Sequence, residues 1–191
     1  MNVGDTVYNI AVSRDGRWIV SGTESGKVQA WNTKNGGKLA EFTAPFNRVE
    51  AVDVSPDSTK IARGSNDKTV RVWSFPTGQK LHEPWRHYNP DVSAVKFSPD
   101  RGRLIATAIG WWMHTNTNIP YNLSEFFRES VQVYNSQDGH LLVDVPIIVK
   151  SSLNQTLSWS SNSEKLLVLS TDDEIYCLSA STGTTLLMVH S

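Results

Sequence analysis

The stretch Val49-Glu-Ala-Val-Asp-Val-Ser-Pro-Asp-Ser-Thr-Lys-Ile-Ala-Arg-Gly-Ser-Asn-Asp-Lys-Thr-Val-Arg-Val-Trp73 decides how the chain is read. Apolar residues recur at every second position around Val49–Val54, Ile61–Ser65 and Thr69–Trp73, and β-branched residues are frequent in these runs. Ser55-Pro-Asp-Ser and Ser65-Asn-Asp-Lys separate them, and both clusters are rich in turn formers. A period of two interrupted by such turns predicts short antiparallel strands. Lys80-Leu-His-Glu, after Thr77-Gly78, is expected to add a shorter fourth strand.

The unit recurs. A shift of about forty-two residues toward the N-terminus sets Val7 on Val49, Ser13 on Ser55, Asp15 on Asp57, Gly22 on Gly64, Val28 on Val70 and Trp31 on Trp73. In the other direction, Val92, Ala94, Val95, Ser98, Pro99 and Asp100 fall on Val49, Ala51, Val52, Ser55, Pro56 and Asp57. After an insertion, Val131, Val133, Tyr134 and Gly139 fall on Val70, Val72, Trp73 and Gly78. A fourth copy sets Ser160, Asp172, Ile175, Cys177, Leu178 and Gly183 on Ser55, Asp67, Val70, Val72, Trp73 and Gly78. Repeats of this length with four strands each describe propeller blades. The expected fold is therefore all-β, a β-propeller of four-stranded antiparallel blades. About four are present, at roughly 5–44, 45–86, 87–146 with an insertion at 111–129, and 147–191.

Composition narrows the function. In 191 residues, 18 Lys and Arg balance 19 Asp and Glu for a net charge of −1, which argues against a basic nucleic-acid arm or a polybasic membrane anchor. One cysteine, Cys177, excludes an intrachain disulfide framework and a cysteine-rich zinc site. The N-terminal residues lack a signal-peptide pattern, and the longest apolar run, Leu141–Val149, is broken by Asp144 and Pro146. The expectation is a soluble intracellular protein, cytoplasmic or nuclear. His82, His87, His114, His140 and His190 form no pair at metal-ligand spacing. Asp172-Asp173-Glu174 lacks the oxygen-rich period of a calcium loop. Cys177 shares the strand position of Val72 and Val133, which reads as a buried thiol rather than a nucleophile. With no phosphate loop or nucleophile elbow, the expectation is no catalytic residue, no metal and no cofactor.

Ser55-Pro-Asp followed by Gly64-Ser-Asn-Asp-Lys-Thr-Val-Arg-Val-Trp73 resembles the WD40-repeat signature, and Val92-Ser-Ala-Val-Lys-Phe-Ser-Pro-Asp100 repeats its first half. The wording around His82-Glu-Pro-Trp-Arg-His87 is similar to fungal propellers, some of them NACHT-associated. The resemblance implies a stabilising His, Ser/Thr, Asp and Trp tetrad in each blade. Here the matches are partial: Ser21 and Trp31 in the first, Asp67 and Trp73 in the second, His87 and Thr107 in the third, Asp172 in the fourth. It also implies a ring of about seven blades. The chain is thus expected to be a piece of a longer propeller, a small closed ring or an arc that associates, with the fragment preferred.

The resemblance further implies a rim where partners dock. The insertion carries Trp111, Trp112, His114, Tyr121, Phe126, Phe127 and Arg128, residue types that anchor interfaces or cover a neighbouring blade. Arg48 and Asp91 enter first strands, and Glu24 and Asn66 precede the turn positions, so these four join the rim. The reading is a non-catalytic protein-interaction scaffold whose partners are other proteins, with no nucleic acid or membrane. The alternatives are a structural remnant without independent function and, less favoured, an enzyme with a site in the central channel.

Overall fold

The computed structural model describes residues 4–43, 47–86, 91–100, 102–110, 129–147, 156–169 and 174–190. Every regular element among them is a strand, and the strands form four antiparallel four-stranded sheets. The first contains β1 (Val7–Val12), β2 (Trp18–Thr23), β3 (Lys27–Asn32) and β4 (Lys38–Thr43). The second contains β5 (Val49–Val54), β6 (Lys60–Ser65), β7 (Thr69–Ser74) and β8 (Trp85–Arg86). The third contains β9 (Asp91–Phe97), β10 (Leu104–Gly110), β11 (Glu129–Asn135) and β12 (Leu141–Ile147). The fourth contains β13 (Thr156–Trp159), β14 (Lys165–Leu169), β15 (Glu174–Ser179) and β16 (Thr185–His190). Within each sheet the strands lie in chain order, as meandering blades require.

One turn is built four times. The hydroxyls of Ser13, Ser55 and Ser98 donate to Asp15, Asp57 and Asp100, and that of Ser160 donates to Asn162. Each serine oxygen also accepts the N–H that opens the second strand, from Trp18, Lys60, Leu104 and Lys165 respectively. This serine-and-carboxamide or carboxylate geometry closes the turn without help from the core, so it survives where the core residues change. Burial pulls the Asp57 carboxyl upward, yet its hydrogen bonds from Ser55 and Thr59 hold it below its ordinary range.

Each sheet has a forward face, turned to the next blade, and a backward face. Val20, Val28, Ala30 and Phe42 on the forward face of blade 1 share a core with Val52, Val54, Ile61 and Trp73 on the backward face of blade 2. Ala51, Ala62, Val70, Val72 and Trp85 meet Val95, Phe97, Ile105 and Tyr134 at the next junction, and Val131, Val133 and Val143 meet Leu157, Leu166, Val168 and Leu178 at the last. Aromatic pairs bridge two junctions: Trp18 on Phe75 at 4.0 Å, Phe42 on Trp73 at 5.5 Å, and Trp85 on Tyr134 at 4.2 Å between ring centres. Gly22 and Gly64 permit the close approach, because a Cβ there would lie 2.5 Å from Val49 Cγ1 and Val92 Cγ1. Among the described residues no apolar core joins the fourth blade to the first, so the four blades form an arc.

Two details differ from expectation. The fourth strand of blade 2 is Trp85–Arg86, and Lys80 makes only an isolated bridge to Trp73. Pro84 has no N–H to give to a ladder, and the His82 ring stacks on Trp85 at 4.5 Å, which holds the intervening residues out of the sheet. Cys177 is half-buried rather than buried, since no described residue of another blade packs on the forward face of blade 4.

Candidate interaction rim

Sequence puts the entrances of the first strands and the turns after the second strands at one end of the arc, and hydrogen bonds lock them together. The Glu24 N–H donates to the Thr6 carbonyl at 2.9 Å, and the Asn66 N–H donates to the Arg48 carbonyl at 3.1 Å. Ser65 Oγ adds a second bond to the Arg48 carbonyl at 2.8 Å. In blade 1, Asp5 accepts N–H groups from Thr6 at 2.8 Å and Ser25 at 3.1 Å. Hydrogen bonds from the Ser25 and Thr23 side chains, with these backbone donors, hold its carboxyl down at about 2.

A polar and aromatic cluster spans this end. Arg48 Nη2 and Nε both lie 2.5 Å from Glu50 Oε1, and its guanidinium carbon stands 4.6 Å over the Tyr8 ring of the preceding blade. Burial acts to weaken the charged form of Arg48, but Tyr8 and Glu50 outweigh it and raise its pKa. Asp91 begins the first strand of blade 3. Burial and the Glu50 charge raise its carboxyl, and Lys68 and Arg48 moderate the rise. Tyr8, Arg48, Glu50, Lys68 and Asp91 are therefore one electrostatic group contributed by three blades. Asn66 sits beside it, with its Oδ1 buried and without a hydrogen-bond partner among the described residues.

Of the rim residues expected from sequence, Asn66 is bonded through its backbone to Arg48, and Asp91 feels the Arg48 charge from the next blade. Glu24 is exposed on the blade 1 turn and joins through its backbone only. Trp111, Trp112, His114, Tyr121, Phe126, Phe127 and Arg128 lie outside the described residues, as do His87 and Asp172. Tyr8 and Glu50 were not anticipated. They hold the same repeat position, and irregularities between Val7 and Asn9 and between Val49 and Ala51 shift the register there. The repeat alignment carried this signal, but strict alternation from the flanking valines obscured it.

The tetrad positions behind the rim have been rewritten blade by blade. In blade 1, Trp31 Nε1 donates to Ser21 Oγ at 3.0 Å. In blade 2 the position of Ser21 is Arg63, fully buried, whose Nη2 lies 2.6 Å from Asp67 Oδ2 and Nη1 3.3 Å from Oδ1. Asp67 also accepts from Thr69 Oγ1 at 2.5 Å. Burial opposes charge on both partners; even so, the Asp67 carboxyl lies below its ordinary range, because Arg63 and Thr69 stabilise the anion. In blade 3, Thr107 Oγ1 is buried without a hydrogen-bond partner among the described residues, and the Tyr134 hydroxyl donates to Gln132 Oε1 at 2.6 Å. Burial, with Asp144 adding to it, pushes the Tyr134 pKa far up, so the phenol is neutral.

Among the described residues no three His, Cys, Asp or Glu side chains are grouped to hold a metal ion, and no helix is long and apolar enough to cross a membrane. Inner strands with rim-forming entrances, stacked blade on blade, define the class: a β-propeller arc. The WD domain, G-beta repeat model matches residues 3–32 and 36–74, so blades 1 and 2 carry WD40 repeats. The chain is similar to eukaryotic translation initiation factor 3 subunit I of Scheffersomyces stipitis, 26% identical over 179 residues, which are 93% of this chain and 49% of that protein. The same subunit of Aspergillus terreus is 37% identical over 101 residues, 53% of this chain and 30% of that protein. The chain thus spans at most about half the length of these relatives.

Proposed function

We propose that the chain is a non-catalytic protein-interaction scaffold that meets its partner at the Tyr8, Arg48, Glu50 and Asp91 rim. The observation that carries this reading is the assembly of one charged and aromatic cluster from three rigid blades. Arg and Tyr are the residue types that concentrate interface energy, and the ion pair and cation–π contact hold the guanidinium ready, so little side-chain entropy is left to lose on docking. The similarity to a translation initiation factor subunit supports a role inside a multi-subunit assembly of that kind in the cytoplasm.

The test is co-purification of the full chain with the other subunits of translation initiation factor 3. Binding of the natural chain, and at least tenfold weaker binding of Arg48→Glu with unchanged thermal unfolding, is expected. Equal binding by both proteins would remove the rim from the interface, and no binding by either would remove the assembly.

A further inference from the structure

The turn between the third and fourth strands repeats in all four blades. Gly36 holds it in blade 1 with a φ of 69°, a left-handed backbone that favours glycine, and Gly78, Gly139 and Gly183 hold the same place in the others. The residue before each glycine accepts the N–H two positions on. Asn35 Oδ1 accepts it from Gly37 at 2.9 Å, Thr77 Oγ1 from Gln79 at 3.4 Å, Asp138 Oδ1 from His140 at 2.9 Å and Thr182 Oγ1 from Thr184 at 3.3 Å. Blade 1 alone fills this place with an amide, and Asn35 is the one asparagine of the chain that glycine follows. Its side chain is exposed. Thr77, Asp138 and Thr182 are exposed as well, although a preceding blade packs on each of their blades, so the exposure belongs to the turn and not to the edge of the arc.

We propose that Asn35 is a site of spontaneous deamidation through Gly36, with water as the co-reactant. Hydroxide removes the Gly36 amide proton, and the nitrogen attacks Asn35 Cγ. A bond forms between them, the bond from Cγ to Nδ2 breaks, and Nδ2 leaves as ammonia. Water then opens the cyclic imide, at the side-chain carbonyl to give aspartate or at the main-chain carbonyl to give isoaspartate. Two features of the turn favour the step. Glycine carries no side chain to shield the attacking nitrogen. The Gly37 N–H on Asn35 Oδ1 stabilises the negative charge that grows there as Cγ is attacked. The restraint is the Gly36 N–H, which donates to the Asn32 carbonyl at 2.9 Å, so attack waits on the opening of one bond in a surface turn rather than on unfolding. The two products differ in consequence. Aspartate keeps the acceptor, as Asp138 does at the same place in blade 3. Isoaspartate adds a carbon to the main chain inside the turn that the Asn32 N–H and the Gly37 carbonyl close at 2.8 Å, and so loosens the start of β4.

The turn lies at the end away from the rim, where the Thr33 N–H donates to the Arg17 carbonyl at 3.0 Å, so the proposal stands or falls apart from the proposed function. The full chain is held in mildly alkaline buffer at body temperature, digested at intervals and read by mass spectrometry. The peptide spanning Asn35 is expected to gain about one dalton and to split into two chromatographic forms, aspartyl and isoaspartyl. Its rate should exceed that at exposed Asn162, which Ser163 follows, by at least about tenfold. Fresh Asn35→Asp is expected to melt with the natural chain. Asn35→Thr installs the residue of blades 2 and 4, and it too should melt with the natural chain when fresh. After ageing, the natural chain should acquire a lower-melting component that Asn35→Thr lacks. An unchanged mass at residue 35, a gain no faster than at Asn162, fresh Asn35→Asp melting below the natural chain, or aged natural and Asn35→Thr chains melting alike would each overturn the proposal.

Discussion

Blades 1 and 2 present the same backward face to different surroundings. On blade 2 this face lies under blade 1, and it carries Arg63 bonded through both terminal nitrogens to Asp67. On blade 1 no described residue of another blade covers it, and the corresponding device is a single neutral hydrogen bond from Trp31 to Ser21. A guanidinium sealed between blades needs a carboxylate within bonding distance, because the desolvation of an unpaired charge there costs several kcal/mol. A buried neutral hydroxyl needs only one partner. The repeat therefore preserves positions while each blade solves its own polar problem at them.

The largest expected break in this comparison comes from Asp67→Ala. It leaves Arg63 buried and uncompensated, and the loss should be about 3–5 kcal/mol, seen as a fall in Tm of roughly 10 °C. Arg63→Leu combined with Asp67→Ala removes both charges, and its loss should be far smaller than that of Asp67→Ala alone; an equal loss would mean the pair matters through packing instead. Next in size is Gly64→Ala at the junction of blades 2 and 3. The new Cβ would lie 2.5 Å from Val92 Cγ1 and 2.9 Å from the Val92 carbonyl oxygen, and the backbone cannot swing away as a side chain can. About 1–3 kcal/mol is expected by chemical denaturation. Ser21→Ala should cost about 1 kcal/mol, the worth of one neutral bond.

The smallest effect is the one read against pH. The folded Asp5 carboxyl lies at about 2, below the ordinary value of 3.8. A lowered carboxyl stabilises the fold above the unfolded value, and that stabilisation fades as pH falls from about 4 toward 2. Asp5→Asn should therefore flatten the acid limb of the stability curve and leave its alkaline side unchanged. A curve of unaltered shape would show that Asp5 is solvated at the rim.

The fold was legible because its evidence is repeated. Ser13, Ser55, Ser98 and Ser160 announce the same turn four times, and Trp31, Trp73, Tyr134 and Leu178 mark the third strands even where the aromatic is lost. The rim was half legible: Arg48, Asp91 and Asn66 follow from register, whereas Tyr8 and Glu50 depend on strand irregularities that alternation does not encode. Arg63 was overlooked for a related reason. A charged residue on a strand reads as solvent-facing until its neighbour sheet is known, and only packing turns it inward. The outer strand of blade 2 was misplaced because its start is set by Pro84 and by the stack of His82 on Trp85, a contact that alternation does not encode.

The central claim is that partners meet the arc at the end where its first strands begin. Hydrogen exchange on the full chain, free and bound to initiation-factor subunits, reads this most directly. The account predicts slowed exchange at residues 5–8, 47–50, 65–68 and 91–93. Protection confined to the opposite turns, around 13–17 and 55–59, with the rim unchanged, would contradict it.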